Sequence, residues 1–106
     1  MVAKIRMTHS TAMVLQALSS GHGYGFDIMD TTGLPGGTVY PALRRLEAAA
    51  LVESEWEEGN EAQREGRPAR KYYRLTGDGK TALAGAAARF RMLGLLEAGA
   101  SGGSGS

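Results

Sequence analysis

Two adjacent arginines, Arg44 and Arg45, and a later run of bases, Arg64, Arg67, Arg70, Lys71 and Arg74, are the residues of this chain best suited to chemistry. Guanidinium groups grip phosphate oxygens and guanine edges bidentately. The second group follows an acidic run of Glu53, Glu55, Glu57, Glu58 and Glu61, so opposite charges are segregated along a chain whose net charge is only +1. Such segregation creates the local positive field that phosphate binding needs. It equally fits two solvated hairpin faces attracting each other across the strands. Most enzyme chemistry lacks its parts. The absence of cysteine excludes thiolate nucleophiles, disulfides and thiolate metal sites. His9 and His22 are the only histidines, too few for a zinc site. No paired carboxylates and no nucleophile–base set emerge from the spacing. No catalytic residue, metal or cofactor is therefore expected. Gly21, Gly23 and Gly25 imitate a phosphate-cradling loop, but no strand precedes them.

The elements that must position these bases fit one domain, since a single core serves about 100–150 residues and the chain has 106. No apolar run approaches the roughly 20 residues of a membrane helix. Thr8, His9, Ser10, Thr11 and Gln16 interrupt any signal-peptide apolar region, so a cytoplasmic location is expected. Ser10 or His9 can start a first helix carrying Val14, Leu15 and Leu18, ended by Ser19-Ser20-Gly21. A short second helix is expected over 24–31, with Tyr24, Ile28 and Met29 on one side and His22 as its cap. Gly33-Leu34-Pro35-Gly36-Gly37 reads as a turn.

The clearest helix spans 38–50, where Val39, Leu43, Leu46 and Ala50 form one buried stripe. Pro41 is acceptable there only in or near the first turn. The outward side then carries Thr38, Arg44 and Arg45, with Tyr40 at its edge. After it the period falls to two. Val52, Ser54 and Trp56 point one way and the glutamates the other, a half-buried strand whose antiparallel partner is Lys71-Tyr72-Tyr73-Arg74-Leu75. One of Tyr72 and Tyr73 should face the core and the other outward. The polar stretch 58–70 between the strands should be a mobile hairpin loop. Thr76 can cap a last helix, on which Leu83, Ala86 or Ala87, Phe90 and Leu93 form a stripe widened by Met92, Leu95 and Leu96. That is more apolar surface than a small domain covers alone. Trp56 is expected to pack on this last helix, although beside a dimer cleft it could stack a planar ligand.

Three helices, a two-stranded hairpin and a final helix make a mainly α winged helix-turn-helix. Its expected divisions are 1–76 for the DNA-binding unit, 77–98 for a dimerisation helix, and 99–106 for a disordered tail or linker scar. Such modules lay the second helix of the motif in the major groove. Here that is 38–50, with Arg64, Arg67 and Arg70 of the wing along the flanking backbone or minor groove.

Specific words in the chain strengthen this. His22-Gly23-Tyr24-Gly25, the run Gly37-Thr38-Val39-Tyr40-Pro41-Ala42-Leu43-Arg44-Arg45-Leu46-Glu47, then Leu51-Val52-Glu53-Ser54-Glu55-Trp56, and Arg70-Lys71-Tyr72-Tyr73-Arg74-Leu75-Thr76 with Gly79 stand in order. Together they resemble the PadR family of bacterial transcriptional regulators over about residues 10–95. The resemblance implies a dimeric winged-helix repressor that contacts DNA through Thr38, Tyr40, Arg44 and Arg45, assisted by a wing that includes Arg64, Arg67, Arg70 and Lys71. It also implies a homodimer held by the last helix, through Leu83, Ala87, Phe90, Leu93 and Leu96. Two positions depart from the family pattern. Gly77 stands where proline is common, and Ala50 where glycine is frequent. The expected partners are double-stranded DNA with an inverted repeat, a second copy of the chain, and a small-molecule effector; no membrane is expected. A winged-helix protein-interaction module without DNA binding is the alternative.

Overall fold

Residues 7–100 are described by the computed structural model, with side chains as far as Leu93. The chain runs α1 (His9–Ser19), α2 (Gly25–Thr32), α3 (Gly36–Ala48), β1 (Val52–Trp56), α4 (Gly59–Glu65), β2 (Lys71–Leu75) and α5 (Gly77–Ala100). This is the expected winged helix-turn-helix with an added C-terminal helix. Val14, Leu15 and Leu18 of α1 meet Ile28 of α2 and Val39, Leu43 and Leu46 of α3 in one cluster, closed by Leu51 and Val52. Each such buried side chain stabilises the fold by about 1.5–3 kcal/mol. α1 starts at His9, one of the two expected positions, and its cap is Thr8, whose hydroxyl accepts from the Thr11 N–H at 3.1 Å.

The helix-turn-helix is α2, the turn at Gly33-Leu34-Pro35, and α3. α3 begins two residues before Thr38 because the Pro35 carbonyl already accepts from the Thr38 and Val39 N–H groups, at 2.9 and 3.0 Å. Pro41 therefore lies in the second turn and removes the bond that the Gly37 carbonyl would receive. At the other end, Leu51 N–H donates to Leu46 O at 2.9 Å and Ala50 N–H to Glu47 O at 3.0 Å. This pair of bonds is a Schellman closure, which needs a left-handed residue. Ala50, expected in the buried stripe of this helix, instead lies exposed beyond its end at Ala48 and fills that left-handed position at φ 62, where a Cβ costs about 1–2 kcal/mol.

The strands pair with Val52 opposite Leu75, Ser54 opposite Tyr73 and Trp56 opposite Lys71 on the inner face. Glu53 and Arg74 face each other on the outer side. A further bridge that the sequence did not signal lies on the other edge of β2, where Tyr73 N–H donates to Gly23 O at 2.6 Å and Tyr24 pairs with Tyr72. Tyr73 turns toward the core and Tyr72 away, against Tyr24.

Three further expectations need correction. The stretch 58–70 is not a mobile loop, because it contains α4, whose Ala62 is buried and whose end is closed by Gly66 at φ 66. Glu61, Ala62, Gln63, Arg64 and Glu65 are strong helix formers, and Gly66 is a favourable C-terminal residue; with one apolar residue among them, no periodicity announces the helix. Trp56 does not pack on α5. It sits at the tip end of β1, beyond the reach of the core, and is 63% exposed. His22 is not a backbone cap of α2; its Nδ1 lies 2.9 Å from Asp27 Oδ2 and 3.3 Å from Thr31 Oγ1, two side chains of that helix.

Thr76 caps α5 as expected, accepting from the Gly79 N–H at 3.0 Å, while its own hydroxyl donates to Ala50 O at 2.7 Å. Gly79 has to be glycine, since a Cβ there would overlap the Leu51 carbonyl. α5 runs two residues past 98, through Ala100. The remainder of the expected tail, 101–106, lies outside the described residues.

Candidate nucleic-acid interface

At 100° per residue, the buried stripe of α3 leaves Gly37, Pro41, Arg44 and Ala48 on its outward ridge. Arg45 flanks that ridge on one side and Tyr40 on the other. Arg44 and Arg45 are both exposed, and neither has an ion pair among the described residues. Thr38 is half-buried near the start of the helix. Tyr40 is 43% exposed, and its ring lies so close against Gly25 that any Cβ at position 25 would collide with it. Gly25 is thus the close-approach point of α2 and α3. No periodicity signal identifies it, although Gly23 and Gly25 bracketing Tyr24 is the visible trace.

The wing bases are occupied differently. The Arg67 guanidinium forks onto Glu57, with Nη2 donating to Oε2 at 3.0 Å, and its Nε donates to Glu65 at 2.9 Å. Glu57 Oε1 also accepts the Arg70 N–H at 2.8 Å. The hydrogen bond from Arg67 is the chief reason that the Glu57 carboxyl is held down to about 2; the neighbouring burial works against it. Arg67 likewise lowers Glu65. On the outer face, Arg74 Nε donates to Glu53 at 2.8 Å and Nη1 lies 3.7 Å from Glu55. For Arg67 and Arg74 the segregated charges are therefore hairpin faces attracting each other. The Arg70 guanidinium lies 4.3 Å over the Tyr24 ring. Lys71 Nζ stands 5.8 Å from the Trp56 ring, 5.7 Å from the Tyr73 ring and 4.0 Å from Glu47. Arg64, exposed on α4, has no ion pair among the described residues. Across the wing, Glu57, Glu58, Glu61 and Glu65 balance Arg64, Arg67, Arg70 and Lys71.

The α5 residues expected to meet a second copy divide into groups. Leu83 packs on its own core, and Phe90 is half-buried, its ring 5.5 Å from His9. Ala87 is exposed, Leu93 is 49% exposed, and Met92 beside it is 59% exposed. The side chain of Leu96 lies outside those described. Among the described residues no three His, Asp or Glu side chains come together as metal ligands would. Nor, among them, is any helix long and apolar enough to cross a membrane.

Comparison with known proteins agrees with this architecture. The transcriptional regulator PadR-like family matches residues 14–85. No curated protein matches the chain. A PadR family transcription regulator from Clostridium difficile has 27% identity and a TM-score of 0.76, with 90% of this chain and 100% of that chain covered. A PadR-like transcription factor from Bacteroides fragilis has 30% identity and a TM-score of 0.67, covering 81% of this chain and 84% of that one. The PcaV transcriptional regulator from Streptomyces coelicolor, solved with its natural ligand, shares the fold at a TM-score of 0.75 but only 20% identity, over 93% of this chain and 65% of that one. With a family match over most of the chain and the winged helix in place, the protein belongs to the PadR-like family of transcriptional regulators and is not an enzyme.

Proposed function

We propose that this regulator binds DNA sequence-specifically and acts as a repressor, with two copies related by a two-fold axis reading an inverted repeat. The observation that carries this reading is the pair of exposed arginines on the outward face of α3, with no ion pair among the described residues. An α-helix fits the major groove, and arginine is the side chain that reads guanine O6 and N7 there. Arg44 and Arg45 read bases or grip phosphates, with Thr38 and Tyr40 positioned to bond the backbone. Arg64 and Lys71 add phosphate contacts from the wing, whereas Arg67 and Arg70 shape the wing that presents them. The two copies join through α5, where Ala87, Met92 and Leu93 supply exposed apolar surface and Phe90 stiffens the helix against α1.

Titration of the full chain with duplex DNA from its own promoter region tests this directly. Tight binding that weakens steeply with salt is expected, because phosphate contacts release counterions. Light scattering at micromolar concentration should give a dimer. A stable dimer that ignores DNA at low salt would favour the protein-interaction alternative.

A further inference from the structure

α3 and the wing face each other across a groove lined by Tyr24, Tyr40 and Tyr73, and beside it one carboxylate joins the two. Glu47 stands one turn after Arg44, on the flank of α3 that also carries Tyr40. Its Oε2 accepts from the Ser54 hydroxyl of β1, and its Oε1 lies 4.0 Å from Lys71 Nζ of β2. Tyr73, the register partner of Ser54, feels the same group: burial chiefly, then Glu47, pushes its phenol up. Among the described residues, no other side-chain hydrogen bond or ion pair ties α3 to the two strands.

A carboxylate at this point is a liability for a helix that docks on phosphates. It repels them, and it neutralises a base beside them. Stability does not account for it, since the Glu47 and Lys71 side chains are 38% and 35% exposed and such a pair adds little. Its two contacts also differ in kind. The bond from Ser54 is charge-assisted and fixes the inner face of the hairpin on α3. The Lys71 pair is long and open to solvent, so a well-placed phosphate can draw the ammonium away.

We propose that Glu47 is a positioning residue that sets DNA specificity. Through Ser54 it holds the wing at one angle to α3, so that helix and wing meet the duplex in a single register. Through Lys71 it withholds a base from phosphate until that register is reached, which suppresses binding to unrelated sequence. The role rests on the DNA-binding reading above, in which Arg44 and Arg45 contact the duplex and Lys71 adds a phosphate contact.

Anisotropy titrations of the full chain against its promoter duplex and a scrambled duplex of equal length, each over a salt series, test it. Glu47→Gln keeps an acceptor for Ser54 and removes the charge. It should bind the scrambled duplex about fivefold more tightly, with a salt slope steeper by about one as Lys71 is released, while promoter binding changes less. In a Lys71→Gln background that gain should vanish. Glu47→Ala should lower discrimination further, and in the DNA-free protein it should speed amide exchange in β1 and β2, where Glu47→Gln stays close to the parent. Unchanged scrambled affinity in Glu47→Gln, an equal gain on both duplexes, or a gain that survives in Lys71→Gln would overturn the withholding of Lys71. Parent-like exchange in Glu47→Ala would overturn the tether. A parent protein that binds neither duplex defeats the DNA-binding reading and this role with it, whereas a parent that binds with variants that match it defeats this role alone.

Discussion

The outward face of α3 carries two bases and the wing four, and the two regions use them in opposite ways. Arg44 and Arg45 reach into solvent with no carboxylate to neutralise them among the described residues, while Arg67 is bound to two glutamates and Arg70 is laid over an aromatic ring. Position on the scaffold accounts for the difference. α3 buries one stripe in the core and needs nothing more to stay folded. The wing has almost no core of its own, with Ala62 as its buried apolar residue, so ionic clasps stand in for apolar packing. A basic sequence therefore measures potential DNA contacts poorly unless the basic residues are known to be unpaired.

The largest effect that would test this contrast is expected from the double substitution Arg44→Ala, Arg45→Ala. It should reduce specific affinity by at least about 2 kcal/mol, roughly 30-fold, in a duplex titration. Unaltered binding would move recognition away from α3. Replacing Arg67 with alanine should do something different in kind. Amide exchange in α4 should speed up because Glu57 loses its clasp, while the dependence of DNA affinity on salt stays close to the parent's. If the salt dependence instead collapses, Arg67 contacts phosphate and the two regions are alike.

Arg64→Ala sharpens the comparison within the wing. As the wing arginine with no partner among the described residues, it should lower the slope of log affinity against log salt by about one. Acid offers another probe. Because the folded Glu57 carboxyl is held at about 2 against an ordinary value of 4.5, its contribution is complete above about pH 5 and fades as pH falls toward 2. Protection of α4 should decline across that window, and Glu57→Gln should flatten the decline. The smallest effect should come from Ala50→Gly, which relieves the left-handed strain at the end of α3 and should add about 0.5–1 kcal/mol in thermal or urea unfolding. No gain there would mean that the bond from Thr76 to the Ala50 carbonyl already compensates for the strain.

Helices with one continuous apolar stripe were the easiest features to read. α3 followed from Val39, Leu43 and Leu46, and β1 and β2 followed from their alternation. α4 escaped because helix-forming residues without apolar spacing look like a polar loop. Its position is held by Arg67 reaching back ten residues to Glu57, a pairing that spacing does not announce. The charge segregation was equally visible, but its two explanations could be separated only once the glutamates were located across the hairpin. Trp56 shows the same limit. Alternation places it on the inner face, and the register with Lys71 then carries it past the end of the core.

Read alone, the amino-acid order is enough for the element types, the winged-helix class and the outward direction of Arg44 and Arg45, because these depend on local periodicity and on residues a few positions apart. Which bases remain unpaired, where Trp56 comes to lie, and the meeting of Tyr24, Tyr40 and Tyr73 in one groove depend on contacts between distant segments. Those contacts are chosen by the packing of the whole core, and pairwise sequence distance carries almost no information about them.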